Sequence, residues 1–340
     1  TLHNRASRFH AHHVAHDHQL WDHEPPGEVP VTATTVQHQA ASSILTHQTP
    51  TGMPFDHGAN PYRGCEHGCI YCYARERHAE LGFSPGLDFE TRLVAKPNAA
   101  ALLQQGFTKP GYRPGIIALG TATDCYQPIE RTLGITRAML EVLVAWHHPV
   151  RLITKATLVL RDLDLLRELA AAGLVAVHLS LITLDDELAR RLEPRAAGPG
   201  PRLRAIERLA HAGVPVGVMV APVIPILTDG DIEAILKAAR NAGAGFAQMG
   251  LLRLDGAVHG LFVQWLEEHV PDSARHVLAR VAETAGPTIA QSLQGQGAYA
   301  HMLRQRFALA RRRLGYMEPP ALRLDLFCRP GRGHQLELFP

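Results

Sequence analysis

The sequence predicts an α/β protein built as a partial, open (β/α)6 barrel, TIM-like but short of closure. Three observations lead there. From residue 71 onward, short apolar runs alternate with longer amphipathic segments, and strands alternating with helices of about 10–15 residues imply βαβ units and a parallel sheet. Glycines at 82, 173 and 213 stand where predicted helices must stop, the position that favours a left-handed residue. About six units recur, fewer than the eight of a closed barrel.

In chain order, residues 71–81 read as the first helix, closed by Gly82. Residues 89–94 fit a strand and 98–105 a helix. The run 116–121 is a buried strand. A helix over 130–146 follows, with Pro149 beyond its end, then a strand over 150–154 and a helix over 162–172, stopped by Gly173. Residues 175–182 are strand, 203–212 helix to Gly213, 214–220 strand, 231–242 helix, 247–254 strand and 261–270 helix. After residue 273 the pattern is helical again, notably over 298–314, and should cover one side.

The first 50 residues differ. They hold His10, His12, His13, His16, His18 and His23, then Pro- and Thr/Ser-rich text with no apolar period. This composition predicts a disordered His-rich arm, a solvated tail in which histidines have incidental affinity for divalent ions. Order is expected to begin within 42–51. The domain reading is therefore an arm at 1–50, a barrel at 51–272, and a helical C-terminal extension with an irregular tail at 273–340. Leu336, Leu338 and Phe339 are expected to dock the tail on the body.

Of the 340 residues, 46% are hydrophobic, ordinary for a protein with a real core. A net charge of +2 argues neither for nor against nucleic acid, because a basic patch matters more than a total. No run approaches the ~18 apolar residues of a membrane span. Five cysteines are an odd count, and no apolar leader opens the chain, so a reducing, cytoplasmic setting is expected rather than disulfides.

The richest segment is 60–75, NPYRGCEHGCIYCYAR. Cys65, Cys69 and Cys72 are spaced C-x3-C-x2-C, with Tyr71 before the last. Three thiolates on one loop can hold three irons of a [4Fe–4S] cubane. Clusters that only carry electrons normally take four. A three-cysteine set leaves one metal position open, the logic that separates catalytic from structural zinc sites. A Cys3His zinc site recruiting His67 or His78 is the rival, but no second Cys-x2-Cys pair exists.

This loop strongly resembles that of radical S-adenosylmethionine (radical SAM) enzymes. Ligands of parallel α/β sheets gather at the carboxyl ends of strands, and residues 120–130, GTATDCYQPIE, follow directly on one such strand. With Thr154-Lys155, the run 178–183 and Glu193-Pro-Arg195, they make the chain similar to the spore photoproduct lyase-like branch, within an uncharacterised bacterial subgroup. The resemblance covers about residues 54–254 and the 335–339 ending. It implies a [4Fe–4S] cluster on Cys65, Cys69 and Cys72. Its open iron is chelated by S-adenosylmethionine, and the 5′-deoxyadenosyl radical released abstracts a hydrogen atom from a substrate. Thr123 and Asp124 match positions that approach the amino group of S-adenosylmethionine, Lys155 a lysine that pairs with its carboxylate, and Ser180 a serine near the ribose. The main chain around Tyr71 would hold the adenine. An external donor such as a flavodoxin or ferredoxin would supply the electron.

Spore photoproduct lyase carries a hydrogen-donating cysteine at the position that is Thr121 here, which argues against thymine-dimer repair. Cys125 and Tyr126 are the nearby candidates for a catalytic hydrogen donor, with a small buried hydrophobe as the alternative reading of Cys125. Arg195 could bind substrate or pair with Asp185. Cys328 is not expected to be a ligand. The rival class is a non-catalytic iron–sulfur or zinc protein that senses redox state or binds nucleic acid. The set Thr123, Asp124, Lys155 and Ser180 discriminates against it. For a nucleic-acid substrate, the best basic candidate is the group Arg304, Arg306, Arg311, Arg312 and Arg313, more simply read as a solvated helix face.

Overall fold

In the computed structural model, the described residues are 34–47, 55–286 and 294–329. The histidines at 10–23 and the tail residues Leu336, Leu338 and Phe339 lie outside them. Among the described residues there are ten strands: β1 Thr35–His38, β2 Leu45–His47, β3 His57–Ala59, β4 Tyr62–Arg63, β5 Arg92–Ala95, β6 Ile117–Leu119, β7 Val150–Thr154, β8 Val175–Ser180, β9 Val216–Val223 and β10 Phe246–Leu251.

Seven of them form one sheet in the order β10-β9-β8-β7-β6-β3-β2. Every neighbouring pair from β3 to β10 is parallel, and only β2 runs antiparallel, on the edge. The parallel strands keep their chain order across the sheet, so each crossover steps to the next neighbour. Strands covered on both faces read as continuous apolar runs, and β8 is buried at all six positions. Val175, Val177 and Leu179 face the main core, while Ala176 belongs to a small cluster with Phe246 and Leu322. A second sheet, β1-β5-β4, supports the cysteine loop.

Helices follow the strands as expected, at Ala99–Thr108, Leu163–Ala171, Pro199–His211, Ile232–Asn241 and, after the last strand, Gly256–His269. The expected helix over 130–146 is two, Glu130–Leu133 and Ile135–Ala145, because Gly134 between them is left-handed at φ 62°. The expected strand over 89–94 starts only at Arg92. Asp88–Thr91 instead makes a helical turn that carries Glu90 into the core. A helix at Asp186–Leu192, capped by the Asp185 side chain on the Glu187 and Leu188 N–H groups, was not read from the sequence. Within the expected arm, residues 35–38 and 45–47 are strands. β1 pairs with β5 and β2 with β3, so order begins before residue 42.

The C-terminal extension contributes Pro271–Thr284 and Gly297–Arg313. Beyond them an irregular segment crosses the amino ends of the strands. The Met317 N–H donates to the Gly245 carbonyl at 3.0 Å, Arg323 N–H to Gly173 at 3.0 Å and Cys328 N–H to Trp146 at 3.2 Å. Among the described residues no helix is long and apolar enough to cross a membrane.

Candidate functional site

The cysteine loop lies beside the carboxyl ends of β6 and β7. Gly64 and Gly68 are left-handed, at φ 76° and 66°, and both are tightly enclosed. A Cβ on Gly64 would lie 2.8 Å from the Phe89 carbonyl, and one on Gly68 2.5 Å from Glu90 Oε2. No other residue type fits this path.

Side chains from outside bind the loop backbone. Arg75, fully buried, donates from Nε to the Cys69 carbonyl at 2.9 Å. Its Nη2 donates to Gly68 O at 2.9 Å and Glu90 Oε1 at 2.6 Å, and its Nη1 to Gly86 O at 2.8 Å. Arg195 reaches Glu90 Oε2 at 2.6 Å and donates from Nε to the Glu66 carbonyl. Of the two roles left open for it, pairing with Asp185 is not found: Arg195 clamps the loop, while Asp185 caps a helix. Thr123 Oγ1 donates to Gly64 O at 2.6 Å, and Gln127 Nε2 to Thr123 Oγ1 at 3.0 Å, while Gln127 Oε1 accepts from Glu66 N–H at 2.8 Å.

Cys65 and Cys69 are buried and Cys72 partly so. Burial raises the Cys65 thiol, and the nearby Asp124 carboxylate raises it further. Cys69 is pushed up to about 12, by burial first, with Lys155 opposing and Glu193 adding to the rise. Metal must therefore displace protons from these thiols to bind. Among the described residues no three Cys, His, Asp or Glu side chains converge on a single-ion position. A cubane does not require that, since each thiolate takes its own iron.

Asp124 is occupied by protein donors. Its Oδ1 accepts from Tyr126 N–H at 2.9 Å and Thr154 Oγ1 at 2.7 Å, and its Oδ2 from Lys155 N–H at 2.8 Å. His67 Nδ1 lies 3.3 Å from Oδ2. Burial raises this carboxyl, but His67, Thr154 and the Lys155 N–H outweigh it and hold it well below the usual carboxylate range.

Lys155 follows directly on β7. Its Nζ stands 3.9 Å from Glu193 Oε1 and 6.0 Å from the centre of the Tyr71 ring. Burial lowers its pKa, yet Cys69 and Glu193 together carry it above an ordinary lysine. Glu193 is 1% exposed. It accepts from the Tyr71 hydroxyl on Oε1 and from Arg202 Nη2 on Oε2. Arg202 also donates to Ser180 O at 2.8 Å and Ala197 O at 2.6 Å. The structure thus joins Tyr71, Lys155 and Ser180, three of the residues given a role in the sequence, through Glu193, noted only as part of a string, and Arg202, not noted at all. A signal existed for Arg202: it lies on the buried stripe with Ala205, Ile206 and Leu209, and a charge on an apolar helix face must have a partner.

Cys125 and Tyr126 are the two residues expected as hydrogen donors. They are 0% and 1% exposed and sit in the main hydrophobic core. Strand β6 ends at Leu119, two residues short of the expected end, and this burial agrees with the alternative reading of Cys125 as a small buried hydrophobe. Cys328, exposed, lies far off beside His147 at 3.3 Å. Of the arginine group, Arg304 donates to Gln294 and Gly295 carbonyls, Arg306 pairs with Glu233, and Arg311 with Glu318. Arg306 ties the C-terminal helix to the helix Ile232–Asn241, while Arg304 and Arg311 bond the segments that flank their own helix.

The radical SAM superfamily model matches residues 59–239. An uncharacterized protein of Mycobacterium tuberculosis is 38% identical over 275 residues, covering 79% of this chain and 78% of that protein. An uncharacterized protein of Methanocaldococcus jannaschii is 27% identical over 214 residues, covering 63% and 76%. Among solved structures, spore photoproduct lyase with bound AdoMet and dinucleoside spore photoproduct has a similar fold. Its TM-score is 0.61 over 87% of this chain and 86% of that one, at 14% identity. At that identity the likeness concerns the fold alone.

Proposed function

The chain belongs to the radical SAM superfamily, and from that membership we propose an enzyme in which Cys65, Cys69 and Cys72 hold the cluster and Lys155 receives the carboxylate of S-adenosylmethionine. The family carries a [4Fe–4S] cluster and S-adenosylmethionine, which when bound supply a 5′-deoxyadenosyl radical for hydrogen abstraction. The donor set fits: three thiols on one enclosed loop serve three irons and leave the fourth open.

The observation that carries the reading is the place of Lys155. Its ammonium is held beside Cys69 by a buried carboxylate, where it can form a charge-assisted bond to an anion. Thr123 and Asp124 are bound to protein groups, so we assign them to shaping the site: Thr123 fixes the Gly64 carbonyl, and Asp124 fixes His67 and the main chain of Lys155. Glu193 and Arg202 hold the opposite wall through Tyr71 and Ser180. We read the chain-ordered parallel strands as an open partial barrel, with the substrate entering at their carboxyl ends. A flavodoxin- or ferredoxin-type protein is the proposed electron donor. Nucleic acid is one substrate class to test.

The test is anaerobic reconstitution followed by dithionite and S-adenosylmethionine. Release of 5′-deoxyadenosine is expected. Lys155→Ala should keep its iron while binding the cosubstrate about 10- to 150-fold more weakly, the loss of one charge-assisted hydrogen bond. Unchanged binding removes Lys155 from the site. One tightly bound zinc with no iron uptake overturns the radical reading.

A further inference from the structure

We propose that Glu193 is the positioning residue of this site, setting the cysteine loop and the Lys155 ammonium at a fixed relation to each other. The inference rests on the reading of Lys155 just given.

Glu193 receives three groups from three separate parts of the chain. Tyr71, which stands between Cys69 and Cys72, donates its hydroxyl to Oε1. Lys155, at the end of β7, faces the same oxygen from 3.9 Å. Arg202, from the helix Pro199–His211, bonds Oε2 and ties the carboxylate to the Ser180 carbonyl at the end of β8. The backbone repeats the link, since Ile70 N–H donates to the Leu192 carbonyl at 3.0 Å. The loop that would carry the cluster and the two strand ends that would carry the cosubstrate therefore meet at one side chain.

The distances divide the partners by role. Tyr71 and Arg202 are within hydrogen-bond reach, whereas Lys155 at 3.9 Å is an ion pair without a close bond. Arg202 already balances the carboxylate, so Lys155 keeps a net positive charge and its donors stay available to a second carboxylate. A buried ammonium without Glu193 would face the Arg202 guanidinium across the same space, and like charges in a poorly solvated site repel strongly. Glu193 thus keeps Lys155 forward and charged without consuming it.

The experiment uses the full chain, reconstituted anaerobically. Glu193→Gln retains hydrogen bonding to Tyr71 and Arg202 but removes the charge. We expect iron and sulfide content as in the wild type, S-adenosylmethionine affinity reduced roughly tenfold or more, and a weakened cosubstrate-induced change in the electron paramagnetic resonance signal of the reduced cluster. Adding Glu193→Gln to Lys155→Ala should weaken binding no further, because both act through one ammonium. Wild-type affinity and an unchanged signal in Glu193→Gln, or losses that simply add in the double variant, overturn the proposal. If Glu193→Gln does not take up iron, Tyr71→Phe decides. It deletes one of the bonds to Glu193, and a few-fold weaker cosubstrate binding with full iron supports the proposal, while wild-type binding overturns it. Should Lys155→Ala itself bind normally, the reading of the site fails first. Should it bind weakly beside a normal Glu193→Gln, only the role of Glu193 fails.

Discussion

Cys65, Cys69 and Cys72 share one enclosed loop, and their chemistry gives the most direct prediction at the scale of the residue. Replacing all three with alanine should abolish an iron content of about four per chain after reconstitution, the stoichiometry of one cubane, as measured by iron and sulfide assay. Cys125→Ala and Cys328→Ala should keep it. Cys125 makes a second, opposite case. A thiol at 0% exposure should resist iodoacetamide in the folded protein, and its truncation should lower stability by about 1 kcal/mol or more through the cavity left behind. Alkylation that S-adenosylmethionine prevents would return it to the site. Chemistry concentrated in sequence was the easiest to read: the three cysteines, Tyr71 and Lys155 were all singled out from their local strings, and the structure brings Tyr71 and Lys155 together at Glu193. Glu193 and Arg202 were only partly legible. A buried ion pair needs both partners, and these come from either side of a turn whose geometry the string Glu193-Pro-Arg195 does not announce.

Elements show how that loop is kept in shape, and two predictions belong here. Arg75 and Glu90 form an ion pair with both side chains buried, and Arg75 also bonds carbonyls on either side of it. Arg75→Met leaves Glu90 with Arg195 but takes the donor from the Gly68, Cys69 and Gly86 carbonyls, so it should destabilise the protein by about 3 kcal/mol in urea unfolding. A change under 1 kcal/mol would mean that the loop holds itself. The second concerns the seam between the helices Ala99–Thr108 and Ile135–Ala145. His148 stacks on Phe107 at 4.5 Å, donates from Nδ1 to the Pro149 carbonyl and accepts from Tyr112 at Nε2. Burial pushes it down to about 4, with the Pro149 bond opposing and His57 assisting. Its folded pKa lies below its unfolded one, so the unfolded chain takes up the proton first. The stability from its neutral form is complete above about pH 6.5 and is lost as pH falls through 4, about 3 kcal/mol in all. His178, pushed down to about 4 mainly by burial, and His57 and His78, also lowered by burial, act in the same direction, so His148→Phe should reduce but not abolish the acid slope between these pH values. Most elements were legible because period and glycine stops agree, as at 150–154, which is strand β7 to the residue. The helix break at Gly134 was not, since one glycine in a helical pattern is tolerated as often as it interrupts.

At the scale of the whole molecule, the parallel sheet was legible and its lower closure was not. Chain-ordered βαβ units leave a signature in hydrophobic period, but the segment after Gly297–Arg313 has none, because it is held by isolated backbone bonds. It donates in turn to Gly245, Gly173 and Trp146, which precede or flank the starts of β10, β8 and β7. Leu322 is buried against Ala176 and Phe246, and Phe327 lies within 6 Å of Phe107, Tyr112, Trp146 and His148. This strap covers the amino ends of the strands, while Cys65, Cys69, Cys72, Asp124 and Lys155 occupy the carboxyl ends of β6 and β7. The two ends should therefore fail separately. Leu322→Ala should lower stability by about 2–3 kcal/mol, and Phe327→Ala, half-buried, by somewhat less, both seen as an earlier urea midpoint. Each should still take up about four irons per chain and bind S-adenosylmethionine as the wild type does, because the strap's bonds go to Gly245, Gly173 and Trp146, at the opposite end of the strands from the loop. A variant that unfolds at the wild-type midpoint but loses iron or cosubstrate affinity would show the opposite arrangement, in which the strap acts on the site through the strands rather than only holding their far ends together.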